Sequence, residues 1–162
     1  MKTLFDCRGL LTNDWKITRY ANWAWNKGWE IKVPKVKTVL YLGYGVMQYR
    51  ELALKYIEEM NVPVLLTWRA ADLLPDDHPL YAGRPGSLAQ PKANKILMEA
   101  DEIICIGARI DLETVAFDYS NWAPDAQKIV VDIDQAELDK LPNNWEKICM
   151  DAGEFMKLRI DE

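Results

Sequence analysis

The sequence predicts an α/β domain of three layers, a mostly parallel sheet of about six strands held between helices, and three observations carry that prediction. Short runs rich in branched apolar residues recur at Thr38–Leu42, Val62–Thr67, Ile103–Ile106, Lys128–Val131 and Lys147–Met150. Most are apolar at consecutive positions, the pattern of strands buried on both faces of a parallel sheet. Between them lie apolar residues at helical spacing: Leu52, Tyr56, Ile57 and Met60 after the first run, and Ala93, Ile96, Leu97 and Ala100 before the third. Glycine, proline and acidic residues punctuate the strand ends, at Gly43 and Gly45, through Pro75–Gly86, at Gly107 and at Asp132–Asp134. Such crossovers part at the carboxyl ends of the strands and leave a crevice there.

The overall numbers fit one compact domain. A chain of 162 residues buries roughly 70% of its unfolded surface, enough for a core without staples. A net charge of −5 with no basic stripe argues against nucleic acid as a partner. Cys7, Cys105 and Cys149 have neither metal-ligand spacing nor the even count of a secreted scaffold, so a reducing cytoplasm is expected and no metal site is. No apolar run approaches the roughly 20 residues of a membrane span, and no long hydrophobic leader core opens the chain.

Residues 1–37 read as a tryptophan-rich extension or linker, and 38–162 as the domain proper. Four of the seven tryptophans fall at Trp15, Trp23, Trp25 and Trp29, interleaved with Lys16, Arg19 and Lys27. Two readings compete: an aromatic and basic platform for bases or a partner, and rings that cover the outer face of the sheet or a neighbouring domain. The second fits ordinary aromatic burial better. A short helix over 13–26 and an extended linker at Lys32–Lys35 are expected.

The strand Thr38–Leu42 runs into Gly43-Tyr44-Gly45. Such a turn lets the backbone approach a phosphate beside a helix N-terminus, and it also serves as a plain tight turn; the third glycine of the dinucleotide fingerprint is missing. Arg69, after the second strand, is either a phosphate contact or a solvent-facing cation. His78 sits between Asp77 and Pro79 and reads as a turn residue whose imidazolium the two preceding carboxylates favour, so no catalytic role is assigned to it. Pro91 suits the first turn of a helix. Arg109 and Asp111 follow Gly107 and could pair to cap a helix starting near Asp111. Asp132 stands at a strand end where a carboxylate accepts hydrogen bonds from ribose hydroxyls and repels a 2′-phosphate. Asp134 carries the capping-box pattern with Glu137 at N3, and Asp151 repeats it with Glu154.

The segments LLTWRAADLLPDDHPLYAGRPGS, ANKILMEADEIICIGARID and KIVVDIDQAELDK, in that order, resemble the central domain of thiamine-diphosphate enzymes of the acetolactate synthase type, close to their polysaccharide-biosynthesis relatives. The resemblance runs from about Val39 to Leu158. It implies a Rossmann-like domain of the DHS-like NAD/FAD-binding kind, holding FAD or ADP in a mainly architectural role. By the same resemblance, Gly43 and Gly45 border the diphosphate, and Thr67, Trp68 and Arg69 flank the nucleotide. Gly83, Arg84 and Gly86 approach from the other side, Gly107 and Arg109 border the cofactor, and Asp151 lies near the adenine. The family's catalytic glutamate and its GDG…N magnesium motif belong to an N-terminal and a C-terminal domain and have no counterpart here, so thiamine diphosphate and Mg2+ would come through other domains or subunits. The expectation is therefore the middle third of a carboligase or decarboxylase, without a complete active site of its own. The alternative is a free-standing Rossmann-like subunit or docking module of a multisubunit complex.

Overall fold

The structure is a computed structural model that describes residues 3–6, 30–32, 37–87 and 89–161. Near the amino terminus β1 (Thr3–Asp6) pairs in parallel with β2 (Glu30–Lys32). The main body is built from β3 (Thr38–Leu42), β4 (Val64–Leu66), β5 (Tyr81–Gly83), β6 (Glu102–Ile106), β7 (Gln127–Asp132) and β8 (Glu146–Cys149), with helices α1 (Arg50–Met60), α2 (Pro91–Met98), α3 (Gln135–Asp139) and α4 (Ala152–Asp161). The sheet order is β5-β4-β3-β6-β7-β8 and every neighbouring pair is parallel. Counted from β3, the order is 3-2-1-4-5-6, the Rossmann arrangement, in which the winding direction reverses between the first and fourth strands.

Side chains alternate across this sheet with period two, and each face closes a separate core. Leu40, Leu42, Val64, Leu66, Ile104, Ile106, Ile129 and Val131 pack with Ala53, Tyr56 and Ile57 of α1 and Phe155 and Met156 of α4. Val39, Tyr41, Leu65, Ile103, Cys105 and Val130 pack with Ala93, Ile96 and Leu97 of α2 and Leu138 of α3. That is the three-layer fold expected from the sequence.

Local chemistry sets the helix ends. Asn61 adopts the left-handed conformation, φ 48°, and its N–H bonds the Ile57 carbonyl to close α1. Pro91 occupies the first turn of α2. Asp134 accepts from the Ala136 N–H at 2.9 Å, and Asp151 accepts from Gly153 at 2.8 Å and Glu154 at 3.1 Å, so both capping aspartates cap.

Two expectations change. Residues 75–86, read as continuous loop, contain β5, whose three residues between Pro79 and Pro85 are too short to give a periodic signal. No helix starts near Asp111; residues 112–117 form hydrogen-bonded turns in which Ala116 (φ 51°) and Phe117 (φ 65°) are left-handed, a conformation no helix tolerates. The second core is closed there by rings instead, Tyr41 on Trp122 at 6.2 Å, Trp122 on Trp145 at 5.4 Å and Trp145 on Tyr119 at 5.9 Å. The helix expected over 13–26, and all of the expected linker beyond Lys32, lie outside the described residues.

Candidate functional site

The carboxyl ends of β3, β4, β6 and β7 meet along one rim, which carries two adjoining cavities. The first, about 250 Å3, takes in Thr67, Trp68, Arg69, Gly86, Gly107 and Arg109. The second, about 190 Å3, takes in Gly45, Arg69, Gly107, Arg109, Asp132 and Asp151. Tyr44, Arg69, Gly107 and Arg109 line both and so form the wall between them. Together the cavities reach the roughly 300–1,000 Å3 of small-molecule sites. Of the sequence-predicted positions, Gly43, Gly83 and Arg84 are the three that line neither cavity.

The glycines prove to be packing residues more than ligand-facing ones. A Cβ on Gly43 would stand 2.2 Å from Ala108 Cα and 2.2 Å from the Gly107 oxygen, and one on Gly107 (φ +56°) 2.7 Å from Gly45 Cα. The β3 and β6 turns therefore cross backbone on backbone, which is what the strand reversal demands. Their amides are engaged: Gly43 N–H donates to Ile106 (3.1 Å), Gly45 to Gly107 (3.0 Å) and Gly107 to Val131 (2.9 Å). Gly86 N–H donates to Asn94 Oδ1 at 2.8 Å. On the far edge, Gly83 (φ +105°) leaves room for Gln90, whose Oε1 would lie 2.2 Å from a Cβ. With these four amides already bonded within the protein, the expectation that they cradle a phosphate is corrected.

Two guanidinium groups line both cavities. Arg69 stacks on the Tyr44 ring at 4.5 Å. Arg109, in the left-handed region at φ 41°, reaches Glu137 Oε1 at 3.1 Å with its own side chain 67% exposed. It does not pair with Asp111, whose Oδ1 accepts from the Thr114 N–H at 2.8 Å. Arg84 stands back, stacked on Trp68 at 5.0 Å and donating to the Tyr81 hydroxyl at 3.2 Å. It braces Trp68, which at 62% exposed offers a ring to the first cavity.

The polar floor divides likewise. Thr67 Oγ1 is buried without a hydrogen-bond partner among the described residues, and it lines the first cavity beside Tyr41. Burial pushes the Tyr41 hydroxyl well above the ordinary tyrosine range, the Thr114 hydroxyl opposing, so it acts as a neutral phenol. In the second cavity Asp132 Oδ1 accepts from the Asp134 N–H at 3.0 Å. Asp151 accepts from Tyr49 at 2.9 Å as well as from the helix it caps, and that bond raises the Tyr49 hydroxyl.

Sequence reasoning missed Tyr44, the middle residue of Gly43-Tyr44-Gly45, and Glu137, read only as a capping-box member. Tyr44 stood between two glycines that drew attention to themselves; nothing in the spacing marked Glu137. His78 accepts from the Leu80 N–H at Nδ1, 3.2 Å, which fits the turn role expected of it but not an imidazolium, whose two ring nitrogens both donate. Among the described residues no group of three His, Cys, Asp or Glu side chains is placed to hold a metal, and no helix is long and apolar enough to cross a membrane.

Known proteins place this geometry. Residues 34–158 match the family model of the thiamine pyrophosphate enzyme central domain. The acetolactate synthase large subunit of Corynebacterium glutamicum is 37% identical over 123 residues, covering 74% of this chain and 19% of that protein. The acetolactate synthase isozyme 1 large subunit of Escherichia coli is 38% identical over 120 residues, 74% of this chain and 21% of that protein. A probable acetolactate synthase large subunit of Methanococcus aeolicus is 32% identical over 123 residues, 75% and 20%. The chain thus spans about a fifth of the length of these relatives. With its sheet order, the reversal at Gly43 and Gly107 and this match all in agreement, the chain belongs to the thiamine pyrophosphate enzyme central-domain family.

Proposed function

We propose that this domain holds the adenosine diphosphate part of a nucleotide, as ADP or FAD, across its carboxyl rim. In this reading it serves as an architectural module of a thiamine-diphosphate-dependent, acetolactate synthase-like carboligase or decarboxylase of the cytoplasm. The carrying observation is the pair of cavities that share Arg69 and Arg109 as their dividing wall. A diphosphate laid over that wall meets two guanidinium groups, whose paired N–H donors suit phosphate oxygens. Adenosine falls to the second cavity, where Asp132 keeps one carboxylate oxygen for a ribose hydroxyl after Oδ1 has bonded Asp134. The other half of the nucleotide falls to the first cavity, where the unpartnered Thr67 hydroxyl receives a ligand hydrogen bond and Trp68 a planar ring. A buried hydroxyl left unbonded costs about 1–3 kcal/mol, so a partner there is worth having.

Such a nucleotide does no chemistry on this chain. Thiamine diphosphate and Mg2+ belong, in this reading, to other domains or subunits of the whole enzyme, which are the expected partners. Residues 38–162 form the binding domain and 1–37 an extension or linker. Tryptophan fluorescence titration tests the reading, since Trp68 lines the first cavity. Saturable change with ADP or FAD, weakened by Arg109→Ala and by Asp132→Ala, is expected; no saturable change with either nucleotide contradicts it.

A further inference from the structure

Glu137 occupies the N3 position of α3, where a capping-box glutamate bonds back to the N-cap amide. Here that amide, Asp134 N–H, is taken by Asp132 Oδ1 at 3.0 Å. Glu137 is thereby released from capping, and its Oε1 turns to Arg109 Nη2 at 3.1 Å and Lys140 Nζ at 2.7 Å. Its side chain is only 16% exposed while that of Arg109 is 67% exposed, so the carboxylate is the sheltered member and the guanidinium the one a ligand can reach. Arg109 borders both cavities, and in this structure its charge is already matched.

From this arrangement, and resting on the nucleotide reading above, we infer that Glu137 is a positioning residue that competes with ligand phosphate for Arg109 and so sets the affinity and exchange rate of the bound diphosphate. A diphosphate that draws the guanidinium away leaves Glu137 to Lys140, which already holds it. The cost of ligand binding is then the loss of one partly exposed ion pair, and removing the carboxylate abolishes that cost. Lys140 works in the opposite sense: without it, Glu137 grips Arg109 more firmly. A merely structural glutamate would give looser binding when removed, so the sign of the change separates the two roles.

The test is calorimetric titration of the full chain with ADP and with adenosine. Glu137→Gln is expected to bind ADP about threefold to fivefold more tightly than wild type, in line with the worth of an exposed ion pair. Adenosine affinity should not change, and Lys140→Gln should bind ADP about twofold more weakly. The gain in Glu137→Gln should shrink at high salt. Wild-type binding of ADP with unchanged or weaker binding in Glu137→Gln, or an equal gain for adenosine, overturns this inference alone. Absence of ADP binding by wild type overturns the nucleotide reading and this one with it.

Discussion

The two ends of the sheet treat charge in opposite ways. At the amino end, Lys128 is 6% exposed, donates to the Ala123 carbonyl and lies 5.6 Å from the Trp145 ring. Thr38 donates to Glu102 at 2.9 Å, and the Asp101 and Glu102 amides share the Lys37 carbonyl. A cavity of about 480 Å3 opens there, larger than either cavity of the carboxyl rim, lined by Phe117, Tyr119, Trp145, Asp118 and Lys128 among others. Yet its charged groups are satisfied by the protein itself, Asp118 by the Ser120 and Asn121 donors that hold its carboxyl below the usual range. The carboxyl rim is smaller but keeps a two-thirds-exposed guanidinium and a buried hydroxyl without a partner. An exposed guanidinium held by a single ion pair and a buried unpartnered hydroxyl lining a cavity, rather than volume, set this rim apart from the cavity beside Lys128.

Breaking the rim's backbone crossing should have the largest effect. Gly43→Ala puts a methyl group against Ala108 and Gly107 main chain, which cannot move aside as a side chain could. A loss of about 3 kcal/mol in urea unfolding is expected. Next comes the ligand contrast between the ends: Arg109→Ala should weaken ADP binding ~10-fold or more, the loss of a charge-assisted hydrogen bond, while Lys128→Met leaves ADP affinity unchanged, both read by titration. Asp151→Ala removes a helix cap and the Tyr49 partner together and should lower stability by about 1 kcal/mol, visible in thermal unfolding.

The amino end has its own pH signature. Burial pushes Lys128 below its ordinary value of 10.5, with Asp125 opposing. Between the lowered native value and 10.5 the unfolded chain binds more protons than the native one, so stability contributed through Lys128 rises with pH in that window and falls as pH drops through the native value. Compared with Lys128→Met, wild type should therefore gain relative stability as pH climbs from neutral toward 10.5, as urea unfolding at several pH values would show. Tyr41 runs the other way: burial raises it, so its contribution is whole below 10.0 and is lost at higher pH. Tyr41→Phe measured beside Lys128→Met separates the two. The smallest effect expected is on deleting residues 1–37, which should leave ADP affinity within about twofold if 38–162 is the binding domain.

Much of this was legible in the amino-acid order. β3 matches its expected bounds, and β6, β7 and β8 differ by a residue or so, because continuous branched apolar runs have few other homes. The caps at Asp134 and Asp151 were readable because capping is local chemistry between residues two or three apart. β5 was not, since a three-residue edge strand is specified by its neighbour β4 and not by its own pattern. The turns at 112–117 escaped because their left-handed residues are alanine and phenylalanine, types that give no warning of positive φ. In the candidate site, strand-tip position brought Arg69, Arg109 and Asp132 into view, and the family resemblance added Thr67 and Gly107. What each group does there depended on partners far along the chain: Ile106 takes the Gly43 amide, and Glu137 takes Arg109. Long-range pairing of that kind leaves no mark on local spacing.

The most direct test of the carboxyl rim as a nucleotide site is a crystal structure of the chain grown with ADP. Density for the base and ribose beside Asp132, with the diphosphate against Arg69 and Arg109, is the predicted result. ADP seated instead in the aromatic cavity beside Lys128, or no bound nucleotide at saturating ADP with the Arg109–Glu137 pair unchanged, would contradict it.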